Sequence, residues 1–265
     1  MSAKKSLGQN FLVDPNLQRK IVDALDPSPT DTVLEIGPGH GALTRHLVGR
    51  VDRLILVELD DRLAAALEGE WGERPDVDIR HQDFLKTDLT SVGEDPSELL
   101  VVGNIPYNIT APIIFKLLER PRPRDILLMV QREVADRLVA RVGTSEYGAL
   151  SVGVRSVARV ESVLRVPRTA FRPQPRVDSS VVRITPTIPP PLSMEEEISL
   201  RNLTRAAFQW RRKQLQKTLR EHGDLDLARN SVAWIARQTG WDLARRPETL
   251  EPEDFVRLSK LVRDS

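Results

Sequence analysis

The apolar run Leu99-Leu100-Val101-Val102 passes without interruption into Gly103-Asn104-Ile105-Pro106-Tyr107-Asn108. A short run of β-branched and leucine side chains bounded by Gly and Pro has the composition of a strand buried on both faces of a sheet. Open α/β sheets hold their ligands at the carboxyl ends of such strands, so the turn at 103–108 is a candidate site. Pro106 stiffens the backbone there and biases Ile105 toward an extended conformation, with its carbonyl pointing outward rather than into a helix. Asn104 brings an amide that can both donate and accept. Tyr107 brings a flat ring on which a base can stack. The exocyclic amine of a purine is a poor nucleophile because its lone pair is delocalised into the ring. Two acceptors on its hydrogens, the Asn104 side-chain oxygen and the Ile105 carbonyl, would draw it toward tetrahedral geometry, with the base extruded onto Tyr107. Read alone, the same residues could equally be a turn in which Tyr107 caps the core.

Three other apolar runs end in the same manner. Thr32-Val33-Leu34-Glu35-Ile36 leads into Gly37-Pro38-Gly39-His40-Gly41, and a helical pattern resumes at Ala42-Leu43. In such a strand, glycine turn and helix, Gly37 and Gly39 let the backbone approach a ligand closely, and the helix offers free amides. Arg53-Leu54-Ile55-Leu56-Val57 ends in Glu58, roughly 20 residues beyond Gly37, where an acid meets ribose hydroxyls. Val77-Asp78-Ile79-Arg80-His81 ends in Gln82-Asp83-Phe84, an acid and an aromatic at the same rim. An adenine amine is a suitable donor for Asp83. Four strand ends on one sheet edge predict a nucleoside cofactor.

Composition excludes several classes. The chain has 265 residues, 40% hydrophobic and 29% charged, enough for one sizeable α/β domain and a smaller appendage. It has no apolar run long enough to span a bilayer, and Met1-Ser2-Ala3-Lys4-Lys5 has no apolar signal core behind it. The absence of cysteine excludes disulfides and thiolate metal sites and suggests a cytoplasmic protein. His40, His46, His81 and His222 have no ligand spacing, so no metal is expected.

Net charge is only +1, but it is unevenly spread. Arg201, Arg205, Arg211, Arg212, Lys213, Lys217 and Arg220 crowd one segment, a candidate phosphate-binding face or else a solvated helix. Arg155, Arg159, Arg165, Arg168, Arg172, Arg176 and Arg183 are scattered before it. Ser6-Leu7-Gly8-Gln9-Asn10-Phe11-Leu12 is an irregular lead-in, either packed over a sheet edge or a lid over a ligand. Asp14-Pro15 begins a helix through Ile21, Val22 and Leu25. Further helices are expected around 113–118 and 131–138, and strands at 126–130, 160–164 and 181–184. The proline-rich stretch 185–191 marks a boundary. We expect one domain over residues 1–188 and a helical one over 192–265.

Together, E-I-G-P-G-H-G, V-E-L-D, Q-D-F and N-I-P-Y-N-I-T resemble the S-adenosylmethionine-dependent methyltransferases, and N-I-P-Y is similar to their amine-methylating signature. The lead-in S-L-G-Q-N-F-L and the segment A-F-R-P-Q-P-R-V-D-S-S-V-V at 170–182 narrow the resemblance to the KsgA family. That resemblance implies a Rossmann-like α/β fold: a mostly parallel seven-stranded sheet with its last strand antiparallel, followed by a small all-helical domain. It implies dimethylation of two adjacent adenosines near the 3′ end of small-subunit ribosomal RNA, late in subunit assembly. By the same resemblance, Asn10, Leu12, Gly37, Gly39, Glu58, Asp83, Phe84 and Asn104 hold S-adenosylmethionine. Asn104 opens the catalytic motif with Ile105 and Pro106, Tyr107 stacks on the target, and Phe171 lies across the base pocket. Without the resemblance, Phe171 reads as a core residue. Arg211, Arg212, Lys213 and Lys217 are assigned to ribosomal RNA, and a monomer is expected.

Ile105 stands where many bacterial relatives carry Leu, a choice shared with erythromycin-resistance methyltransferases acting on large-subunit RNA. Asn108-Ile109-Thr110-Ala111-Pro112 and the 171–180 segment favour the small-subunit pattern. Trp210 stands where a polar residue is expected. Two rivals are a nicotinamide dehydrogenase, which would leave Asn104-Ile105-Pro106-Tyr107 unexplained, and a non-enzymatic RNA-binding assembly factor.

Overall fold

The computed structural model describes residues 9–92, 95–225 and 227–265, so Ser6-Leu7-Gly8 of the lead-in lies outside the described residues. The strands are β1 (Phe11–Leu12), β2 (Thr32–Ile36), β3 (Arg53–Glu58), β4 (Val77–His81), β5 (Leu100–Asn104), β6 (Asp125–Gln131), β7 (Ala158–Val166), β8 (Phe171–Arg172) and β9 (Ser179–Pro186). The helices are α1 (Pro15–Leu25), α2 (Thr44–Leu47), α3 (Asp61–Trp71), α4 (Thr110–Leu117), α5 (Arg132–Leu138), α6 (Ala149–Arg155), α7 (Met194–Gln209), α8 (Leu215–Glu221), α9 (Arg229–Thr239) and α10 (Pro252–Arg263). The chain forms two compact units. One runs to Ala135 and takes in Val160–Pro186, and the other comprises Asp136–Arg159 and Thr187–Ser265.

The first unit is built on a seven-stranded sheet of order β4-β3-β2-β5-β6-β9-β7. Strands β4, β3, β2, β5 and β6 are parallel, and β9 runs antiparallel to β6. Val33, Leu54, Leu56, Val101 and Val102 are fully buried, as expected for strands covered on both faces. Register decides where the site falls. Ile36 pairs with both Val57 and Gly103, and Glu58 pairs with His81, so the carboxyl ends of β2, β3, β4 and β5 reach one edge together. Gly103 is required at this edge, since a Cβ there would lie 2.7 Å from the Ile36 carbonyl oxygen of β2.

Helix α1 begins as its sequence implies. The Asp14 carboxylate accepts from the Asn16 and Leu17 amides, and Pro15 occupies the first turn. The glycine turn is longer than its sequence suggests. Gly37, Gly39 and Gly41 are all left-handed (φ 64°, 61° and 70°), which keeps the backbone out of the helical region, and α2 starts only at Thr44. The lead-in is partly ordered by a distant segment, since β1 pairs antiparallel with β8 through Leu12 and Phe171.

The second unit differs from the expected organisation, because residues 136–159, of which only the last two begin β7 of the sheet, group with its helices. The reason is apolar. Tyr147 is fully buried and donates its hydroxyl to the Leu250 carbonyl at 2.8 Å. Its ring meets Phe208 edge-on at 5.9 Å, and Phe208 stacks on Phe255 at 5.6 Å. Val152 and Val154 of α6 are buried as well.

Candidate active site

A cavity of about 510 Å³ opens at the aligned strand ends of the first unit. Its walls include Asn10, Leu12, Gly37, Gly39, Glu58, Asp83, Phe84, Asn104, Ile105, Pro106 and Tyr107, which brings together the strand-end and lead-in residues singled out in the sequence. Phe171 is not among them. It is fully buried in the hydrophobic core, where its pairing with Leu12 joins β8 to β1. A large apolar ring gains more from complete burial in that core than from the rim.

Asn104 ends β5 with its side chain oriented by the lead-in. Its Nδ2 donates to the Asn10 carbonyl at 2.8 Å, and among the described residues Oδ1 takes no hydrogen bond. The Ile105 carbonyl likewise receives none among the described residues. Two consecutive residues of the cavity wall thus each carry an acceptor without a hydrogen bond among the described residues, followed by Pro106 in an extended conformation (φ −59°, ψ 133°). Tyr107 is half-buried, and its hydroxyl lies 2.6 Å from Ser179 Oγ at the start of β9, which fixes the ring. Burial raises its phenol pKa, so it stays neutral.

At the other side, Glu58 is buried and accepts the Gly39 amide at 3.1 Å and the Leu59 and Asp60 amides at 2.9 Å each. Burial raises its pKa, and the three amides counteract that shift. A carboxylate has about four lone-pair sites, so acceptor capacity remains for a diol. Asp83 caps a short turn by accepting the Leu85 amide on Oδ1 at 3.0 Å, and its other oxygen has no hydrogen bond among the described residues. Phe11 packs against His40 at 4.3 Å and over Gly39, where a Cβ would come within 3.1 Å of its ring. This set of donors and acceptors fits a nucleoside cofactor such as S-adenosylmethionine: bare backbone at Gly37 and Gly39, an acid for the ribose, an acid for an amine, and apolar walls at Leu12 and Phe84. Among the described residues no group of three or more His, Asp or Glu could hold a metal. None of the described helices is long and apolar enough to cross a membrane.

Glu35 also lines the cavity and was not singled out in the sequence, although an acid inside a buried parallel strand is itself a signal. It is 2% exposed and accepts the Thr44 hydroxyl at 2.7 Å. Burial pushes its pKa up to about 8, opposed by the Thr44 hydrogen bond and reinforced by the Glu58 charge. The folded form thus holds a proton that the unfolded chain releases. This contribution to stability is complete below the ordinary value of 4.5 and is lost as pH rises toward about 8. Glu35→Gln should remove that slope, amounting to as much as about 1 kcal/mol per pH unit in the window. Denaturant melts of both proteins across the window check it.

The expected RNA contacts divide. Arg211 is committed within the second unit: Nε donates to Glu248 at 2.6 Å, and Nη1 and Nη2 donate to the Ser145 and Thr144 carbonyls at 2.7 and 2.8 Å. This corrects its assignment to RNA, because its fork is filled by carbonyls and a carboxylate of its own chain. Arg212 and Lys213 are exposed and have no side-chain partner among the described residues, while Lys217 pairs with Glu221 at 3.5 Å. Trp210 ends α7 and packs edge-on against His222 at 5.1 Å, a local packing role. Arg211→Ala should lower stability by about 1–3 kcal/mol through the partners it strands, whereas Arg212→Ala should leave the melting temperature unchanged. Thermal unfolding of the two variants distinguishes them.

A model of the family described as Ribosomal RNA adenine dimethylase matches residues 1–260. The ribosomal RNA small subunit methyltransferase A proteins of Geobacillus sp. (strain WCH70) and Geobacillus thermodenitrificans (strain NG80-2) are 41% and 43% identical to this chain. The matches cover 98% of it and 92% and 91% of those proteins. A dimethyladenosine transferase from Plasmodium falciparum is similar in structure, with a TM-score of 0.75 at 27% identity, over 94% of this chain and 95% of that one. The 23S rRNA methyltransferase ErmE is similar with a TM-score of 0.71 at 28% identity, over 96% and 100%.

Proposed function

This chain belongs to the ribosomal RNA adenine dimethylase family, and we propose that it dimethylates the exocyclic amines of two adjacent adenosines near the 3′ end of small-subunit ribosomal RNA. It acts late in subunit assembly, as a cytoplasmic monomer. The observation that carries this reading is the pair of acceptors at the end of β5, Asn104 Oδ1 and the Ile105 carbonyl, beside the half-buried ring of Tyr107.

When bound, S-adenosylmethionine supplies a methyl group made electrophilic by a positively charged sulfur. The chain would hold it through the backbone of Gly37 and Gly39, the lead-in at Asn10 and Leu12, Glu58 toward the ribose, Asp83 toward the adenine amine and Phe84 as an apolar wall. Before the first transfer Asn104 Oδ1 and the Ile105 carbonyl would accept the two hydrogens of the target amine and localise its lone pair on nitrogen; each methyl gained releases one amine proton to water, so one hydrogen remains to be held for the second. Tyr107 stacks on the extruded base. The transfer is direct, and with no cysteine in the chain and no nucleophile required, the enzyme acts by alignment and by orienting the amine. Arg212, Lys213 and Lys217 of the second unit contact the RNA backbone.

The small subunit is favoured over the large one by the 41–43% identity to proteins named for the small-subunit activity, against 28% to ErmE. The test is methyl transfer from labelled S-adenosylmethionine to unmethylated small subunits, with deproteinised large-subunit RNA in parallel. Label in the small-subunit RNA alone is expected. Label in the large-subunit RNA alone would identify a resistance-type enzyme instead.

A further inference from the structure

The arginines scattered over 155–183 have no role in the function proposed above, and the structure sorts them. Arg155 donates to the Ala140 carbonyl at 2.7 Å, and Arg183 pairs with Asp125 at 2.9 Å, so both are engaged internally. Arg168, Arg172 and Arg176 are exposed and form no ion pair among the described residues. Where their guanidinium groups are held, neutral carbonyls hold them. Arg172 Nη1 donates to the Phe171 and Thr169 carbonyls at 2.9 and 3.3 Å, and Arg168 Nη1 lies 3.5 Å from the Arg176 carbonyl. The single acid of the 168–178 stretch, Asp178, spends Oδ1 on the Arg168 amide at 2.9 Å. Three guanidinium charges thus lie at the surface without an ion pair among the described residues, that of Arg172 held by two carbonyls and that of Arg176 without a hydrogen bond among the described residues.

Their position gives this charge a use. The next residue after Asp178 is Ser179, whose Oγ lies 2.6 Å from the Tyr107 hydroxyl, and the Asp178 carbonyl accepts the Arg132 amide at 3.0 Å. Arg176 is three residues from Ser179, a chain distance of at most about 11 Å. We propose that Arg168, Arg172 and Arg176 form a phosphate-binding rim that grips the single-stranded RNA on either side of the adenosine held at Tyr107. This rests on the reading of Tyr107 as the platform for the target base. An extruded nucleotide leaves its flanking phosphates at the mouth of the pocket, and guanidinium groups match phosphate oxygens in geometry as well as charge.

The test uses the full chain and a fluorescein-labelled single-stranded RNA oligonucleotide with a central adenosine, titrated over a range of salt concentrations. In Arg172→Gln/Arg176→Gln, affinity at low salt should fall about tenfold, and the slope of log affinity against log salt should fall by about 0.7 for each contact removed. Cofactor affinity and melting temperature should stay at the wild-type values, which separates lost contacts from lost fold. Lysine at both positions should restore the slope. An unchanged slope and affinity in the glutamine variant would overturn the rim, as would a loss of slope found only in Arg212→Gln/Lys213→Gln. Binding is read without turnover, so a wild-type protein that binds this RNA through the rim yet methylates no adenosine would contradict the proposed function alone.

Discussion

Asn104→Ala is expected to reduce methyl transfer by roughly a hundred- to a thousand-fold, the usual consequence of removing one preorganised polar group from a reacting centre. Cofactor affinity should fall far less than turnover, the loss of the Asn10 contact being its only cause. The separation follows from the geometry. Asn104 Nδ2 is engaged by the Asn10 carbonyl, which leaves Oδ1, without a hydrogen bond among the described residues, as the acceptor available to an amine. Alanine removes that acceptor, and the Ile105 carbonyl alone cannot hold both hydrogens of the amine. Asn104→Asp keeps an oxygen but places a carboxylate against the Asn10 carbonyl, where the amide donated. It should therefore also be slow, with the lead-in loosened. Single-turnover methylation together with calorimetric titration of the cofactor measures both quantities. Equal losses in binding and turnover would remove Asn104 from the reacting centre.

Glu58→Ala should produce the opposite pattern. A charged hydrogen bond is worth about 1.5–3 kcal/mol, so losing the carboxylate should weaken cofactor binding by about ten- to a hundredfold. Turnover at saturating cofactor should fall much less. Because Glu58 also accepts the Gly39, Leu59 and Asp60 amides, part of the loss could come from the turn rather than from the ribose. A double cycle separates the two contributions: wild type should discriminate strongly against a deoxyribose analogue of the cofactor, and Glu58→Ala should not. Equal discrimination by both proteins would remove Glu58 from the ribose.

The parts of this molecule that are local in sequence were legible, and those set by distant pairing were not. The strand ends at Gly37, Glu58, Asp83 and Asn104 could be placed on one edge because parallel strands of similar length finish together, and the register bears this out. Asp14-Pro15 announced α1 for a reason confined to four residues. The pairing of Leu12 with Phe171 joins segments 159 positions apart, and nothing in either segment specifies the other. For the same reason Phe171 had two readings, core or base pocket, and its burial depends on a strand that its own segment does not specify. Arg211 misled because a charge pattern shows donors without their acceptors, and Glu248 lies 37 residues away. Residues 136–159 joined the helical unit through Tyr147, whose hydroxyl partner at Leu250 is 103 residues distant. Glu35 was visible as an anomaly, an acid in a buried strand, but its hydrogen bond to Thr44 depends on where α2 begins.

The most direct measurement is nucleoside mass spectrometry of unmethylated small subunits after incubation with S-adenosylmethionine and either wild type or Asn104→Ala. Wild type should convert two adjacent adenosines to the N6,N6-dimethyl form, while the variant leaves them unmodified over the same period. Methyl groups on a ring carbon or a ribose, or equal dimethylation by both proteins, would contradict an amine-directed site built on Asn104 and the Ile105 carbonyl.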